Sequence, residues 1–562
     1  MKIKLLILFL FLYSNIFAQT IPSSKIVDWS SAGYDGSIPN PANIVNVTTF
    51  GATGSDTTND LSAINAAISS LSGNAGVIYF PAGTYYFSGT IVLPSNAILR
   101  GASSDSSFLK FNFSGSSGNC ISISAGQSGT FTKVVSGFTK GSTQIVTNNA
   151  TQFAAGDYAE MRQDNGSWDS NPISWAEHSV GQIFKITAIN ANAITINSPL
   201  RLNFDTSLNL EARKITPITN VGIECLNIER LDDATTGAGS NFDFNFASNC
   251  WVKGVESNVS VGAHINVHSS ANLEFTGNYI HHSFIYDGSG TRGYGITLST
   301  HTSECLIEDN IFKHLRHAMM VKTGSNGNVF GYNYSLEVFR TESPTDAGGD
   351  ISLHGHFAFA NLFEGNILQN LVIDHEWGPS GPYNTFFRNR TEHYGIVFSS
   401  STIESDSQNL VGNDINFNMF AQYSLTGNAH FEFGNNYQGT ITPTGTNTLP
   451  DLSYYLSSTP DFWTTIHQWP TIGIPNILGD RDIPALKRYG IGYDFTVCPF
   501  LQYSTSIDET NISDEITIFP NPFNEKITIV NNSQTHSLIE INVVNIFGKT
   551  IINKCVSTNN SG

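Results

Sequence analysis

The chain has 562 residues, of which only 13% are charged, and it is rich in glycine (49) and phenylalanine (38). This composition favours β-structure with many turns over helical bundles. The formal net charge of −19 argues against a nucleic-acid partner, since a phosphate backbone requires a basic face. An anionic polysaccharide stays open as a partner, because clustered arginines and lysines form a positive cleft even in an acidic protein.

The first 18 residues have the features of a cleaved signal peptide. Two early lysines precede a short apolar run from Leu5 to Tyr13, and Ala18 stands at a cleavage position. The run is shorter than the roughly 20 apolar residues that span a bilayer. We therefore expect a mature chain from about Gln19, no membrane span, and a secreted or cell-surface location. The six cysteines form no CxxC pair, so we expect buried thiols, with a disulfide allowed by export.

The repeat region begins with a predicted capping helix. Apolar residues fall on one face of a short helix, with Asn59 or Asp60 as its N-cap. The residues of this face are Leu61, Ile64, Ala67, Ile68 and Leu71. A repeat protein needs such a cap over its first exposed coil.

The opening stretch TFGATGSDTTNDLSAINAAISSL, followed by GVIYFPAGTYYF, resembles the pectate-lyase superfamily. The matching features are FGA, a turn rich in glycine and aspartate, an alanine-rich helix and FPAGTY. The resemblance covers residues 43–437 and implies an all-β, right-handed, single-stranded parallel β-helix. It also implies that the protein is a lyase, a hydrolase, an epimerase or a binding protein. We assign residues 43–445 to the β-helix.

A segment at residues 130–203 interrupts the early repeats. Its short alternating strands predict a small inserted β-subdomain, which either shapes one end of a cleft or decorates the surface. Residues 446–505, with several prolines and tryptophans, are predicted to form an irregular C-terminal cover.

Residues 512–562 change character and resemble the C-terminal sorting domain of the type IX secretion system of Bacteroidota, through IFPNPF and NIFGK. This resemblance implies a β-sandwich-like domain and the type IX secretion machinery as a partner. Such domains usually continue into one more strand, whereas this sequence stops at Gly562, so we expect either a truncated tail or an impaired sorting signal.

A short apolar strand followed by asparagine recurs through the middle of the chain. The asparagines are Asn278, Asn310, Asn333, Asn366, Asn389, Asn413 and Asn435, with Asn258 upstream. The period of 22 to 24 residues, lengthened in two coils, fits one turn of a parallel β-helix per repeat. We predict an asparagine at one corner of each coil, in left-handed backbone geometry. We also predict a core stack of Phe312, Phe330, Phe363 and Phe386.

Four consecutive coils contain strands that can be aligned: YGITLS, AMMVKT, DISLHG and LVIDHE. The apolar residue of each strand that we expect to face inward is followed by a polar one. The inward set is Leu298, Val321, Leu353 and Ile373, and the outward set is Ser299, Lys322, His354 and Asp374. Alternate residues of a strand point to opposite faces, so the outward set should form one column with neighbours about 5 Å apart.

This column suggests the chemistry. We predict catalytic roles for Lys322 as base, His354 as partner acid or base, and Asp374. Nearby residues are predicted to bind substrate, with Arg292 or Arg340 holding a carboxylate. They are Arg292, Arg316, His317, Arg340, His356, His375 and Trp377.

The function that these residues favour is cleavage of an acidic, uronate-bearing polysaccharide by a lyase acting through β-elimination. A glycoside hydrolase on the same scaffold is the first alternative, with its two carboxylates drawn from Asp287, Asp350, Asp374 and Glu376. A non-catalytic glycan-binding or adhesive surface protein is the second. We expect a monomer.

The histidines have no spacing typical of a transition-metal site, so no such metal is predicted. The loop DAGGD, Asp346 to Asp350, offers the oxygen ligands that calcium prefers. Calcium therefore stays open as a cofactor, beside the alternative of a plain polar loop.

Overall fold

The computed structural model describes residues 19–498, except 125, 235–237, 289, 376, 400–403, 417, 464–468 and 476–482, together with four strands of the tail. The chain divides into two compact units, Met1–Cys498 and Pro499–Gly562. The predicted signal peptide lies outside the described residues. No helix in the described part of the chain is long and apolar enough to cross a membrane.

The first unit is a parallel β-helix, as predicted. Each coil adds short strands to three parallel ladders, which we call A, B and C. Ladder A contains Ile44–Asn46, Gly76–Phe80, Ala97–Gly101, Gly222–Glu224, Trp251–Lys253, Glu274–Thr276, Leu306–Glu308, Val329–Gly331, Leu362–Glu364, Thr385–Phe387, Asn409–Val411 and Phe431–Phe433. The core lies between the ladders and is filled by Ile, Leu, Val and Phe side chains.

Ladders B and C are the two halves of one bent sheet, because two long strands contribute to both. Ladder B contains Gly83–Phe87, Ser107–Phe111, Asn227–Arg230, Glu256–Ser260, Tyr279–Ser283, Ile311–Lys313, Tyr334–Leu336, the first parts of Ile367–Ile373 and Arg390–Phe398, Asp414–Ile415 and Asn435–Tyr437. Ladder C contains Ile91–Val92, Ile121–Ser124, Phe242–Asn245, Ile265–His268, Tyr294–Ser299, His317–Val321, Ile351–Leu353, the later parts of the two shared strands, and Gln422–Ser424. A two-stranded ladder joins Ile218–Thr219 to Ala247–Ser248, and Thr440–Thr442 pairs antiparallel with the last strand of ladder B.

The predicted helix spans Leu61–Ser70 and begins after Asp60, following a 3-10 turn at Val47–Phe50. Its buried side chains, Ala63, Ile64 and Ala67, belong to the same core cluster as the first coils. The helix therefore supplies the apolar cover that an exposed first coil requires.

The asparagine corner is confirmed as a continuous hydrogen-bonded ladder. The amide of Asn278 donates to Oδ1 of Asn310 over 2.9 Å, and the same contact repeats coil by coil up to Asn435. The predicted left-handed geometry at these asparagines is wrong. Positive φ falls one residue earlier, as at Gly277 (64°) and Tyr332 (54°), because the asparagine itself must turn its amide inward to reach the next coil.

Two further sequence expectations need correction. Asn258 lies inside a ladder B strand, and Val255 takes the corner position, where its N–H donates to Asn278. The phenylalanine stack contains Phe330, Phe363 and Phe386, with ring centroids 4.9 and 5.2 Å apart. Phe312 is buried but belongs to ladder B, so it is not part of this stack.

An antiparallel seven-stranded sheet interrupts the β-helix. Its strands are Gln127–Ser128, Thr132–Ser136, Gln144–Thr147, Tyr158–Gln163, Val180–Asn190, Ala193–Ile196 and Glu211–Thr216, with 3-10 turns at Ser174–Ala176 and Thr206–Leu208. The sheet has its own apolar core, which also packs against Phe359 and Ala360 of the β-helix. We call residues 127–216 the inserted subdomain; the sequence placed it at 130–203.

Residues 446–498, which we call the strap, run back along the β-helix from its late coils to its early ones. Arg388 donates to the carbonyl oxygens of Leu449 and Asp451. Tyr455 donates to Glu308, and the N–H of Val497 donates to Gly277 O. The described part of the strap contains the helix Pro484–Ile491, and the strap ends in a disulfide between Cys225 and Cys498.

Three other cysteines, Cys120, Cys250 and Cys305, are free and buried. Cys555 belongs to the tail, where no side chains are described. In the tail, Ile516–Phe519 pairs antiparallel with Thr528–Asn531, and Leu538–Val544 pairs antiparallel with Thr550–Ser557.

Candidate active site

The four aligned strands of ladder C lie in the register that the sequence suggested. Leu298 pairs with Val321, Val321 with Leu353, and Leu353 with Ile373. These four side chains are fully buried in the core. The next residue of each strand therefore points away from the core, and Ser299, Lys322, His354 and Asp374 form one column at the outer end of ladder C.

The central feature of the column is a hydrogen-bonded pair. Nδ1 of His354 lies 2.6 Å from Oδ2 of Asp374, and the indole N–H of Trp377 donates to Nε2 of His354 over 3.0 Å. Because the carboxylate accepts at Nδ1 and the indole donates at Nε2, the proton of the neutral imidazole lies on Nδ1. Asp374 thus orients His354 in one tautomer.

Lys322 is half-buried beside this pair. Its ammonium lies 5.5 Å from the centre of the Trp175 ring, and Trp175 belongs to the inserted subdomain. Burial lowers the pKa of Lys322, because the charged form loses hydration. A lysine with a lowered pKa holds more of the neutral amine that can accept a proton.

The column extends by one coil beyond the predicted set. His268 pairs in register with Ser299, and Nδ1 of His268 lies 2.7 Å from Ser299 Oγ. The amide of Asn266 contacts Nε2 of His268 at 2.8 Å. Burial, and then the charge of Lys322, lower the pKa of His268 to about 4.

A second group lies at the other end of the same strands. The rings of His317 and His354 are 5.7 Å apart, and Tyr294 packs edge-on against both. Burial, followed by the nearby His354 and Arg316, lowers the pKa of His317 to about 3, so this imidazole is neutral. The Arg316 guanidinium lies 6.0 Å from the centre of the Tyr294 ring and 3.8 Å from the Asp287 carboxylate.

The structure thus brings Lys322, His354, Asp374 and Trp377 together with Arg316 and His317. Two other predicted binding residues lie elsewhere. Arg292 is buried and pairs with Asp233 at 3.1 Å and with the carbonyl oxygen of Ala234. His375 is buried, with its ring nitrogens 2.9 Å from Ser399 O and from Ser405 Oγ.

The last two predicted binding residues are placed differently again. Arg340 donates through Nε to Pro344 O on its own loop. His356 is fully buried against the inserted subdomain, 3.6 Å from Asp169.

Asp350 and Asp346 are each held by protein donors of their own. Asp350 accepts from the Ser335 hydroxyl and from the N–H of Asn370. Asp346 accepts from Tyr394 and lies 2.8 Å from Nε2 of His393. The two carboxylates of the predicted calcium loop therefore bind separate protein donors. The described residues contain no group of three or more His, Cys, Asp or Glu arranged to hold a metal, and Glu376 is outside them.

Sequence reasoning missed three residues of this site. His268 stands in the strand INVH, and aligning one coil further towards the N-terminus would have included it. Tyr294 is the first residue of the aligned strand YGITLS, so it lies at the end of that strand away from Ser299 and the column. No sequence pattern could have predicted Trp175 as a site residue, because the inserted subdomain lacks the repeat that aligns one coil with the next.

Polar and aromatic side chains gathered on the outer face of one ladder of a parallel β-helix define a pectate-lyase-like protein. Residues 44–329 match the model of the family described as rhamnogalacturonase A/epimerase, pectate lyase-like, and the chain belongs to this family. Residues 517–562 match the secretion system C-terminal sorting domain. The protein is therefore secreted or held at the cell surface, with a secretion machinery as partner.

Among the solved structures to which the chain is similar, the first of the following three supports the same fold. The tailspike gp61 of Pseudomonas phage phi297 is 14% identical, with a TM-score of 0.52 over 71% of this chain and 76% of that chain. The A-module of the mannuronan C-5 epimerase AlgE6 of Azotobacter vinelandii is 14% identical, with a TM-score of 0.33 over 69% and 99%. The adhesin PfbA of Streptococcus pneumoniae is 13% identical, with a TM-score of 0.33 over 70% and 99%. No curated protein matches the chain.

Proposed function

We propose that the protein is a secreted enzyme that cleaves an acidic, uronate-bearing polysaccharide by β-elimination, with Lys322 and His354 as the proton-transfer groups. The observation that carries this proposal is a lysine withdrawn from water in the same column as an oriented histidine–aspartate pair. Lowered lysine pKa values and oriented imidazoles are arrangements that favour proton transfer near neutral pH.

The reaction needs two proton transfers. The neutral amine of Lys322 takes the proton on the carbon next to the uronate carboxylate. The electron pair left on that carbon forms a double bond to the adjacent carbon, whose bond to the glycosidic oxygen breaks. His354 gives a proton from Nε2 to the departing oxygen. The products are an unsaturated uronate and a new reducing end.

Asp374 supports the acid role of His354. An imidazolium that donates Nδ1–H to a carboxylate is stabilised by that charge. Nε2 is bound by the indole N–H of Trp377 in this structure, so Trp377 has to turn away before Nε2 carries the proton. Entry of a sugar beside Trp377 supplies the cause of this movement.

Arg316 is the group best placed to hold the uronate carboxylate. Neutralising that carboxylate acidifies the neighbouring C–H, and a guanidinium binds a carboxylate through two parallel hydrogen bonds. Arg316 lies next to Tyr294, which contacts the rings of both His317 and His354. Of the two arginines that the sequence suggested for this role, Arg292 is paired with Asp233 and Arg340 donates to Pro344 O.

A glycoside hydrolase is the second candidate, favoured by the rhamnogalacturonase in the description of the family. Asp374 and Asp287 would be its carboxylates. The hydrolase produces reducing ends without an unsaturated product, so one experiment separates the two candidates.

The test incubates the full chain with a panel of uronate polymers and follows both ultraviolet absorbance of the unsaturated product and new reducing ends. The proposal expects the two signals to rise together, and it expects Lys322→Ala and His354→Ala to lower both at least about 100-fold. The matched control Lys133→Ala, whose side chain is 46% exposed on the inserted subdomain, should keep full activity. Reducing ends alone would establish the hydrolase. Binding without cleavage would establish a glycan-binding protein, and two fully active variants would exclude the column.

A further inference from the structure

The inserted subdomain is fixed firmly against the coils that carry Lys322. The ring nitrogens of His301 lie 2.7 Å from a Glu160 carboxylate oxygen and 2.6 Å from the carbonyl oxygen of His178. Nearby, Arg201 donates to Glu304 over 2.7 Å. The His301–Glu160 and Arg201–Glu304 contacts are buried, and breaking either would leave a buried charge without its partner, so they hold the subdomain against the β-helix.

One turn of this subdomain, Ser174–Ala176, places Trp175 beside the column. The turn itself is held in place, since Ala176 is buried and its carbonyl oxygen accepts from Ser179 and Asn165. Yet the Trp175 side chain is 48% exposed. A single exposed aromatic ring is ordinary on a protein surface, but this ring lies beside both Trp377 and Lys322, within reach of a sugar bound at the column.

Trp175 and Trp377 form an aromatic corner next to Lys322. Their ring centroids are 5.6 Å apart and their planes meet at 72°. A pyranose ring has one face of C–H groups, which packs on a flat aromatic ring, while its edge carries hydroxyls and carboxylate. Rigid aromatic side chains provide such contact area with little loss of conformational entropy.

We infer that Trp175 stacks on the sugar next to the one that reacts at Lys322, so that the inserted subdomain selects the polysaccharide. This inference rests on the proposed function for the position of the reacting sugar. The contact that we infer, between Trp175 and a sugar, is a binding contact and can be measured without cleavage. Trp175 is thus a positioning residue supplied by a part of the chain that the repeats do not contain.

The test compares Trp175→Ala, Trp175→Gln and Trp175→Phe with wild type, using the full chain and the same panel of uronate polymers. Two quantities are measured: KM for cleavage, and retention on non-denaturing gels that contain each polymer. The Ala and Gln variants should raise KM and weaken retention about tenfold, since buried tryptophan contacts dominate binding energies. The Phe variant, which keeps a flat ring, should stay within about threefold of wild type.

The matched control is Tyr493→Ala, which removes an aromatic side chain that is 66% exposed on the strap and should change neither quantity. Cleavage with unchanged KM and retention in Trp175→Ala and Trp175→Gln overturns the inference and leaves the proposed function standing. Retention that depends on Trp175, with no cleavage of any polymer, overturns the proposed function and supports the binding contact of Trp175. Polymers that are neither bound nor cleaved overturn both. Thermal melting identifies a misfolded variant, and the Gln variant then decides in place of Ala.

Discussion

The indole N–H of Trp377 donates to Nε2 of His354 on the side of the imidazole opposite to Asp374. Both ring nitrogens are therefore bound, so the nitrogen that the proposed reaction uses is occupied when no sugar is present. A ligand that stacks on Trp377 and turns the indole would release Nε2 at the moment the substrate arrives.

Two substitutions of Trp377 distinguish the contribution of its aromatic ring from that of its N–H group. Trp377→Phe keeps an apolar face but removes the donor, so we expect kcat to be retained or raised and KM to stay within about threefold. Trp377→Ala also removes the face, so we expect KM to rise about tenfold. Steady-state kinetics on the polymer that the enzyme cleaves would measure both. A Phe variant as inactive as His354→Ala would show instead that the N–H is required to position the imidazole.

Lys322→Arg tests whether Lys322 acts as a base or only as a positive charge. Arginine stays protonated in proteins, so it cannot accept a proton. We expect Lys322→Arg to lose about 100-fold or more in kcat, as much as Lys322→Ala. An Arg variant that retains most of the activity would assign Lys322 to carboxylate binding. The Lys133→Arg control should behave as wild type.

The column shows what a repeating sequence predicts well. Because coils stack in register, the inward positions of Leu298 and Val321 fix the outward positions of Ser299 and Lys322, and the structure has this register. The same logic predicted the asparagine ladder. It fails where a contact does not repeat. Arg292 is close to the column in sequence, but its loop turns it towards Asp233, and no local pattern encodes the approach of Trp175 to Lys322.

Stability should fall as the pH rises from about 4.5 to about 8, because the carboxyl group of Glu308 is buried beneath the strap. Burial raises the pKa of Glu308 to about 8, whereas an exposed glutamate titrates near 4.5. Between these values the folded protein holds a proton that the unfolded chain has released, so this stabilisation is complete below about pH 4.5 and is lost as the pH rises through about 8. Glu308→Gln keeps an acceptor for Tyr455 and removes the titration.

We therefore expect the stability of the wild type, followed through its thermal midpoint, to fall between about pH 5 and pH 7.5 more steeply than that of Glu308→Gln. The difference should reach about 1 kcal/mol per pH unit. Thermal melts over this range measure both slopes. Glu342→Gln, at an exposed position, should follow the wild type. Parallel curves for wild type and Glu308→Gln would refute the assignment.

The asparagine ladder should be costly to interrupt. Oδ1 of Asn333 accepts two hydrogen bonds from Asn310, and its amide donates to Ile307 O and to Asn366. Asn333→Ala leaves buried donors without acceptors, so we expect a loss of about 3 kcal/mol in the free energy of unfolding. Urea unfolding measures it. Asn148→Ala, at an exposed site, should change stability by less than about 0.5 kcal/mol, and equal effects of the two changes would contradict this role.

The strap changes how the β-helix can come apart. A stack of coils ordinarily unravels from an end, one coil after another, because each coil contacts only its neighbours. Here the strap leaves the last coil and returns along the stack. Its Cys498 is bonded to Cys225 in one of the early coils. The later coils are therefore part of a covalently closed ring that runs from Cys225 to Cys498. A cut between Cys498 and the sorting domain at residues 517–562 would release the sorting tail and leave that ring closed.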